Sequence, residues 1–130
     1  MIFAAIIKKT VPMTQDVLKK RTKVFAIKVI KLTRELPPGR ESDVIGKQLL
    51  RSATSVAANY RSVCRARSKA DFISKMGIVE EEADESCFWM ELLIEAGITN
   101  GPVITALLKE ANELTAIFTA SNKTSKGNRN

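Results

Sequence analysis

The chain has 130 residues, of which 45% are hydrophobic and 27% are charged, and its formal net charge is +7. This length makes one domain, whose core is large enough to fold without disulfides or metals. The chain contains no histidine, which excludes Ser-His and Cys-His catalysis, HExxH zinc sites and the Glu-x-x-His motif of di-iron bundles.

The first 13 residues, MIFAAIIKKTVPM, are predicted to form a loose N-terminal arm. The apolar run ends at Ile7, which makes it too short to cross a bilayer, and positive charge follows it rather than precedes it, so it is not a usual signal peptide. Pro12 separates the arm from the rest, and Met13 is an alternative start. We expect a cytoplasmic protein without a membrane span, in which Cys64 and Cys87 are buried free thiols.

Helix one is predicted to run from about Gln15 to Leu36, with Thr14 as its N-cap. Pro37 and Pro38 end it, because proline cannot donate a helical hydrogen bond. The next helix follows after a short link, so the two helices should be antiparallel.

Helix two is predicted to begin at Ser42 or Asp43 and to contain the stretch 45–67. One face of this stretch is apolar and includes Ser52 and Asn59, for which a buried hydrogen-bond network is favoured over a ligand site. The opposite face carries a cationic stripe, within about 80° on a helical wheel, which consists of Lys47, Arg51, Arg61 and Arg65. The stripe is either a solvated face, a contact for nucleic acid or a contact for an acidic helix.

Helix three is predicted to begin at Ser68, which has the form of a capping box with Asp71, and to end before Gly97. It carries the densest acidic run, at 80–85, which we interpret as a solvated or salt-bridged face. An acid/base or metal site is disfavoured because successive helical residues point in different directions. Helix four follows Asn100 as N-cap, with Pro102 in its first turn, and its apolar stripe consists of Val103, Leu107, Ala111, Leu114 and Phe118.

The predicted fold is all-α, an oligomeric, antiparallel, up-down-up-down four-helix bundle over residues 14–120. Residues 121–130, SNKTSKGNRN, are small, polar and basic, and are predicted to be a disordered tail. No catalytic, cofactor-binding or metal-binding residue is predicted, and we do not expect an enzyme.

Two helices carry apolar residues on their outer sides, which are either scattered surface residues or an oligomer interface. These residues are Val24, Ile27, Phe88, Trp89 and Leu92. Charge also separates along the chain: residues 1–70 hold 16 Lys/Arg and 4 Asp/Glu, whereas residues 71–130 hold 5 and 10. Basic helix one of one copy would therefore suit acidic helix three of the next, in a contact that closes into a ring.

Helix two and the start of helix three also contain a recognisable pattern: Gln48-Leu49, Arg51, Ala53, Ser55-Val56 and Asn59, then Arg67-Ser68-Lys69 and Phe72. This pattern resembles the bacterial four-helix-bundle family first noted as proteins encoded in intervening sequences of 23S ribosomal RNA. The common Ala-Glu-Gly of the family is replaced here by Arg61-Ser62-Val63. The resemblance implies a homopentamer without an established enzyme activity. A related branch, the accessory proteins of diversity-generating retroelements, binds nucleic acid together with a reverse transcriptase.

Two functions are therefore carried forward. The first is a weakly specific RNA- or DNA-binding accessory protein that acts through the basic helix face. The second is a structural or scaffolding oligomer with a protein partner and no role in binding nucleic acid.

Overall fold

The computed structural model describes residues 13–127, which form four helices and no strand. The helices are α1 (Gln15–Arg34), α2 (Arg40–Val63), α3 (Lys69–Glu95) and α4 (Pro102–Gly127). The predicted all-α bundle is confirmed over this range. The predictions for residues 1–12 and 128–130 lie outside the described residues.

The predicted signals at the start of α1 and the end of α3 are confirmed. The hydroxyl of Thr14 accepts a hydrogen bond from the backbone N–H of Val17 at 3.2 Å. Gly97 follows α3 with a φ of 72°, a conformation that favours glycine. The N–H of Ile98 then donates to the carbonyl of Leu93 at 2.9 Å, which is the hydrogen bond of a Schellman motif.

The start of α3 is also capped as predicted. The hydroxyl of Ser68 accepts from the N–H of Asp71 at 3.0 Å. The Asp71 carboxylate in turn accepts from the backbone N–H of Arg67 at 3.1 Å and pairs with Lys75 at 3.1 Å. These partners, the Arg67 N–H first, lower the pKa of Asp71 below its ordinary value.

The prediction that Ser42 or Asp43 caps α2 is wrong. The helix begins at Arg40, and Gly39 occupies the N-cap position with a φ of 152°. Because glycine adopts this conformation without a steric cost, the chain turns into the helix directly after the two prolines. Ser42 consequently lies inside the helix and is buried.

The start of α4 also differs from the prediction. The helix begins at Pro102, which places Gly101 rather than Asn100 immediately before it. Val103 is 61% exposed, whereas its neighbour Ile104 is 1% exposed and joins the core. The prediction that Val103 belongs to the core stripe is therefore wrong, and the core position is occupied by the next residue, Ile104.

Residues 121–127 continue α4, so the prediction of a disordered tail is wrong for this part of 121–130. Two side chains in the last turns of α4 form hydrogen bonds to α3. The Thr119 hydroxyl donates to the Glu80 carboxylate at 2.7 Å, and the Asn122 amide donates to the same carboxylate at 3.3 Å. Asn122 is buried, so these turns are part of the packed bundle.

The core lies between all four helices. The pairs α2–α3, α3–α4 and α1–α2 pack extensively, α1 and α4 pack less, and neither α1 and α3 nor α2 and α4 approach each other closely along their backbones. Tyr60 and Phe118 nevertheless reach across from α2 and α4, with ring centroids 5.8 Å apart. Burial, together with the neighbouring Cys64 thiol, raises the pKa of Tyr60.

The register of α3 and α4 shows that these two helices run in opposite directions. Glu80 contacts Thr119, whereas Cys87, about two turns further along α3, contacts Thr115, one turn earlier in α4. The up-down-up-down order of the whole bundle remains a prediction.

The predicted buried hydrogen bond is present at Ser52. Its hydroxyl lies 2.9 Å from the hydroxyl of Ser86 on α3, and both residues are fully buried. The Ser52 hydroxyl also lies within hydrogen-bond distance of the Leu49 carbonyl, and the Ser86 hydroxyl lies within hydrogen-bond distance of the Glu82 carbonyl. Asn59 is half-buried and donates instead to the carbonyl of Ser55, so it takes no part in the contact between α2 and α3.

We expect Ser86→Ala to lower the free energy of unfolding by about 1 kcal/mol, because one buried hydrogen bond is removed while the Ser52 hydroxyl keeps the Leu49 carbonyl as acceptor. The double variant Ser52→Ala/Ser86→Ala should cost less than the sum of the two single variants, since they share one interaction. Urea denaturation of the three variants measures this. Strictly additive losses would contradict a direct hydrogen bond.

Candidate nucleic-acid interface

The predicted cationic stripe is spread along α2 and the turn that follows it. Lys47, Arg51 and Arg61 lie on α2, but α2 ends at Val63 and Arg65 lies in the turn that follows. All four cationic residues are exposed. Lys47 and Arg61 are fourteen residues apart, which is about 21 Å along a helix, so a single phosphate group cannot contact both.

Arg51 is engaged within its own chain. Its guanidinium bonds the Glu82 carboxylate of α3 at 3.2 Å and also pairs with Glu85. Although desolvation opposes the shift, these two carboxylates raise the pKa of Arg51. The side chain is 47% exposed, so these ion pairs contribute little to stability. The two carboxylates nevertheless offset the positive charge that Arg51 would present to an anion.

The Glu85 carboxylate also binds the single tryptophan. The indole N–H of Trp89 donates to it at 3.1 Å, and the ring of Phe88 meets the indole edge-on with centroids 5.0 Å apart. Phe88 is 49% exposed, as predicted, whereas Trp89 and Leu92 are partly buried. Trp89 packs partly against the core, so the prediction of an exposed tryptophan is correct only in part.

Val24 and Ile27, the predicted interface residues of α1, are 48% and 43% exposed. The backbones of the helices that carry the two predicted patches, α1 and α3, do not approach each other closely. The bundle therefore exposes apolar side chains on two helices at opposite corners.

A basic groove of about 670 Å³ lies between α1 and α2, and we call it the α1–α2 groove. Its α1 side carries Lys19, Lys20 and Lys23, and its α2 side carries Arg61. Ala57 and Ala58 form part of the α2 wall, together with Thr54, so no large side chain fills the space between the cations.

The cations of the α1–α2 groove are not neutralised by neighbours. Among residues 13–127, none of Lys19, Lys20, Lys23 and Arg61 forms an ion pair. Asp16 is the carboxylate that lines the groove. The groove therefore presents a net charge of +3, concentrated along two helices, to a ligand.

A second groove, of about 960 Å³, lies between α1 and the first half of α4, and we call it the α1–α4 groove. It is largely apolar. Near one end the Arg21 guanidinium bonds Glu110 through two nitrogens, both at 2.7 Å, and Glu113 at 2.8 Å. These bonds, that to Glu110 above all, raise the pKa of Arg21, although partial burial opposes the shift.

Both cysteines are free. Cys87 is buried, as predicted, and burial is the main cause of its raised pKa. Cys64 is half-buried at the end of α2. The Cys87 thiol therefore lacks the lowered pKa that marks a reactive cysteine.

The acidic run of α3 does not converge on one point. Glu80 faces α4, Glu82 and Glu85 face Arg51 on α2, and Glu81 is exposed. Within residues 13–127, no three His, Cys, Asp or Glu side chains are placed to hold a metal ion. None of the helices described there has the length and apolar character that crossing a membrane requires.

The comparisons with known proteins agree with the four-helix architecture. A model of the 23S rRNA-intervening sequence protein family matches residues 14–120. The chain belongs to this family. It is also similar, at 32% identity and a TM-score of 0.77, to the crystal structure of a protein with unknown function from the S23 ribosomal protein family of Bacteroides thetaiotaomicron. That alignment covers 85% of this chain and 99% of the other. No curated protein matches significantly.

Sequence reasoning identified Arg61 but missed the lysines of the α1–α2 groove. Lys19 and Lys23 are four residues apart, which places them on the same side of α1. The small residues Ala57 and Ala58 indicate a thin wall on α2. These two signals together would have pointed to the groove, but only once α1 and α2 were placed side by side.

Proposed function

We propose that this protein is a non-enzymatic homo-oligomer that binds the phosphate backbone of RNA or DNA through the α1–α2 groove. The observation that supports the proposal is the set of four unpaired cations, Lys19, Lys20, Lys23 and Arg61, on facing sides of one groove. Phosphate binding requires positive charge at accessible positions and no particular sequence of bases.

The groove favours affinity over specificity. Among residues 13–127, its lining contains no aromatic residue on which a base would stack, and no amide side chain for a base edge. Four phosphate contacts per copy would give a slope of about −2.8 in log K against log salt for a single strand and about −3.6 for a duplex. Binding should therefore be weak at physiological salt and steeply salt-dependent.

The test compares two charge reversals on the same helix. Lys19→Glu/Lys23→Glu alters the α1–α2 groove, whereas Lys28→Glu/Lys31→Glu makes the same change in charge on α1 beside the α1–α4 groove. Fluorescence anisotropy with a labelled RNA and a labelled DNA duplex at several salt concentrations gives affinity and slope for each.

We expect Lys19→Glu/Lys23→Glu to weaken binding at low salt by at least about tenfold. The magnitude of the salt slope should fall by about two, because each of the two lysines no longer neutralises a phosphate. The control should retain the slope of the parent. Equal weakening in both variants would mean that only net charge matters. If the parent does not bind even at low salt, the proposal fails.

The oligomeric part of the proposal rests on the outer apolar residues. In a ring, Val24 and Ile27 of α1 in one copy would meet Phe88 and Leu92 of α3 in the next copy. Because the two patches differ and lie on opposite corners of the bundle, the contact is heterologous and repeats until it closes. Each closed ring would multiply the number of α1–α2 grooves available to one nucleic acid.

A scaffolding oligomer with a protein partner is the second candidate. It is favoured by the pairing of Arg51 with Glu82 and Glu85, which removes the central cation of the predicted stripe from competition for phosphate. Under this alternative, charge reversal in the α1–α2 groove changes no binding, whereas assembly still depends on Phe88.

A further inference from the structure

The α1–α4 groove is an apolar surface with no helix of residues 13–127 over it. The two helices that form it are the least extensively packed neighbours in the bundle. Its apolar lining combines core residues with exposed ones, namely Val24, Phe25, Leu32, Val103, Ile104 and Leu107. Val24 and Val103 are 48% and 61% exposed, so an apolar segment that enters the groove would pack against both walls.

The start of α1 leads to one end of this groove. The sulfur of Met13 lies 3.8 Å from a guanidinium nitrogen of Arg21, and Arg21 bonds Glu110, which lines the groove. Met13, where the described residues begin, therefore has its side chain on the α4 side of α1, the side on which the groove lies.

The length of this segment matches the groove. An extended chain spans about 3.3 Å per residue, so Ile7, six residues before Met13, can lie up to about 20 Å from it. On α1 the groove is lined from Val24 to Glu35, which lie about 16 to 33 Å along the helix from Met13. Residues 2–7, when extended, can lie up to about 20 to 36 Å from Met13. Residues 2–7 are consequently within reach of the whole apolar lining.

The charges of residues 2–9 also complement those along the α1–α4 groove. Residues 2–7, IFAAII, are uncharged, and Lys8 and Lys9 follow. At the near end of the groove, Glu110 and Glu113 share the single Arg21 guanidinium, which leaves a net negative charge for the two lysines. Further along, Lys28 and Lys31 border the groove, where an uncharged segment avoids repulsion.

We propose that residues 2–7 of this chain dock into the α1–α4 groove of the same molecule, with Lys8 and Lys9 beside Glu110 and Glu113. The docked segment covers the apolar lining and closes the least-packed seam of the bundle. Of the two α1 residues in the proposed ring contact, Val24 would then be covered by the docked segment. Ile27 does not line the groove, so it would carry the α1 side of the contact with a neighbouring copy.

The test is hydrogen exchange of the full chain, read by mass spectrometry over 24–35 and 102–110, with α2 as the internal reference. Ile6→Asn/Ile7→Asn removes the apolar side chains, and Thr10→Asn/Val11→Asn is the control in the same segment. A short flexible linker gives the segment an effective concentration of about 1 mM at the groove. If the free peptide binds with a dissociation constant of about 0.1 mM, the docked state outweighs the undocked state about tenfold and exchange slows by the same factor.

We therefore expect Ile6→Asn/Ile7→Asn to speed exchange about tenfold in both stretches and to leave α2 unchanged, while the control stays close to the parent. Equal exchange in the parent and Ile6→Asn/Ile7→Asn would overturn the proposal. The measurement is repeated over a hundredfold range of protein concentration. Protection that falls on dilution would assign the groove to a second copy and would equally overturn docking within one molecule.

Discussion

Phe118→Ala is expected to lower the free energy of unfolding by about 3 to 5 kcal/mol, the usual cost of deleting a fully buried aromatic ring. Phe118 is 0% exposed and stacks on Tyr60 where α2 and α4 face each other across the core. The backbones of these two helices are too far apart to close the space that the ring would leave. The loss is large against a total stability of about 5 to 15 kcal/mol for a typical domain.

Urea denaturation followed by circular dichroism measures this loss. Val44→Ala is the control, because Val44 is an apolar α2 residue that is 57% exposed and should change stability by no more than about 0.5 kcal/mol. A loss below about 1 kcal/mol for Phe118→Ala would mean that the ring does not fill the centre of the bundle.

Phe88→Glu is expected to abolish assembly. If Phe88 is buried between copies, Phe88→Glu removes the ring from the contact and buries a carboxylate. The desolvation of the carboxylate costs several kcal/mol at each contact, which a lysine of α1 would offset only in part. Because a ring repeats one contact, every interface is weakened at once. Light scattering should give a multiple of 14.3 kDa for the parent and a mass close to 14.3 kDa for the variant.

Ile78→Glu is the matched control for assembly. Ile78 lies on the same helix, is 45% exposed and is outside the predicted patch, so this variant should keep the mass of the parent. A parent that is monomeric in dilute buffer of moderate salt would exclude the ring altogether. If both variants dissociate, added negative charge rather than the Phe88 surface would be responsible.

The helices were predictable because their information is local. The caps at Thr14 and Ser68 and the stop at Gly97 each act within about one turn, and the buried side chains recur at the helical period. At the start of α4 the sequence does not fix which residue of the helix faces the core. The core position was therefore predicted at Val103, whereas the buried residue is Ile104. The N-cap of α2 was missed for a related reason. Gly39 can occupy the N-cap position only because of its φ, and this φ depends on the path of the chain after the two prolines.

The candidate site was predictable only in part because it depends on the placement of one helix against another. Arg51 and Arg61 looked equivalent on a helical wheel, but the register of α2 against α3 sets two carboxylates beside Arg51 only. Lys19 and Lys23 became part of a site only when α1 lay beside Arg61. The prediction of a disordered tail failed for a similar reason. The composition of 121–130 is typical of disorder, but a long-range contact of Asn122 with Glu80 holds residues up to Gly127 in the helix.

The position of Trp89 has a practical consequence. It is the only tryptophan in the chain and is partly buried. Its indole N–H donates to the Glu85 carboxylate, which also pairs with Arg51. Indole emission shifts when surrounding water is displaced, so the intrinsic fluorescence of the unlabelled protein reports the solvation of one defined surface, that of Phe88, Trp89 and Leu92. A blue shift with rising protein concentration would follow assembly there in real time, and nucleic acid bound in the α1–α2 groove would leave the emission unchanged.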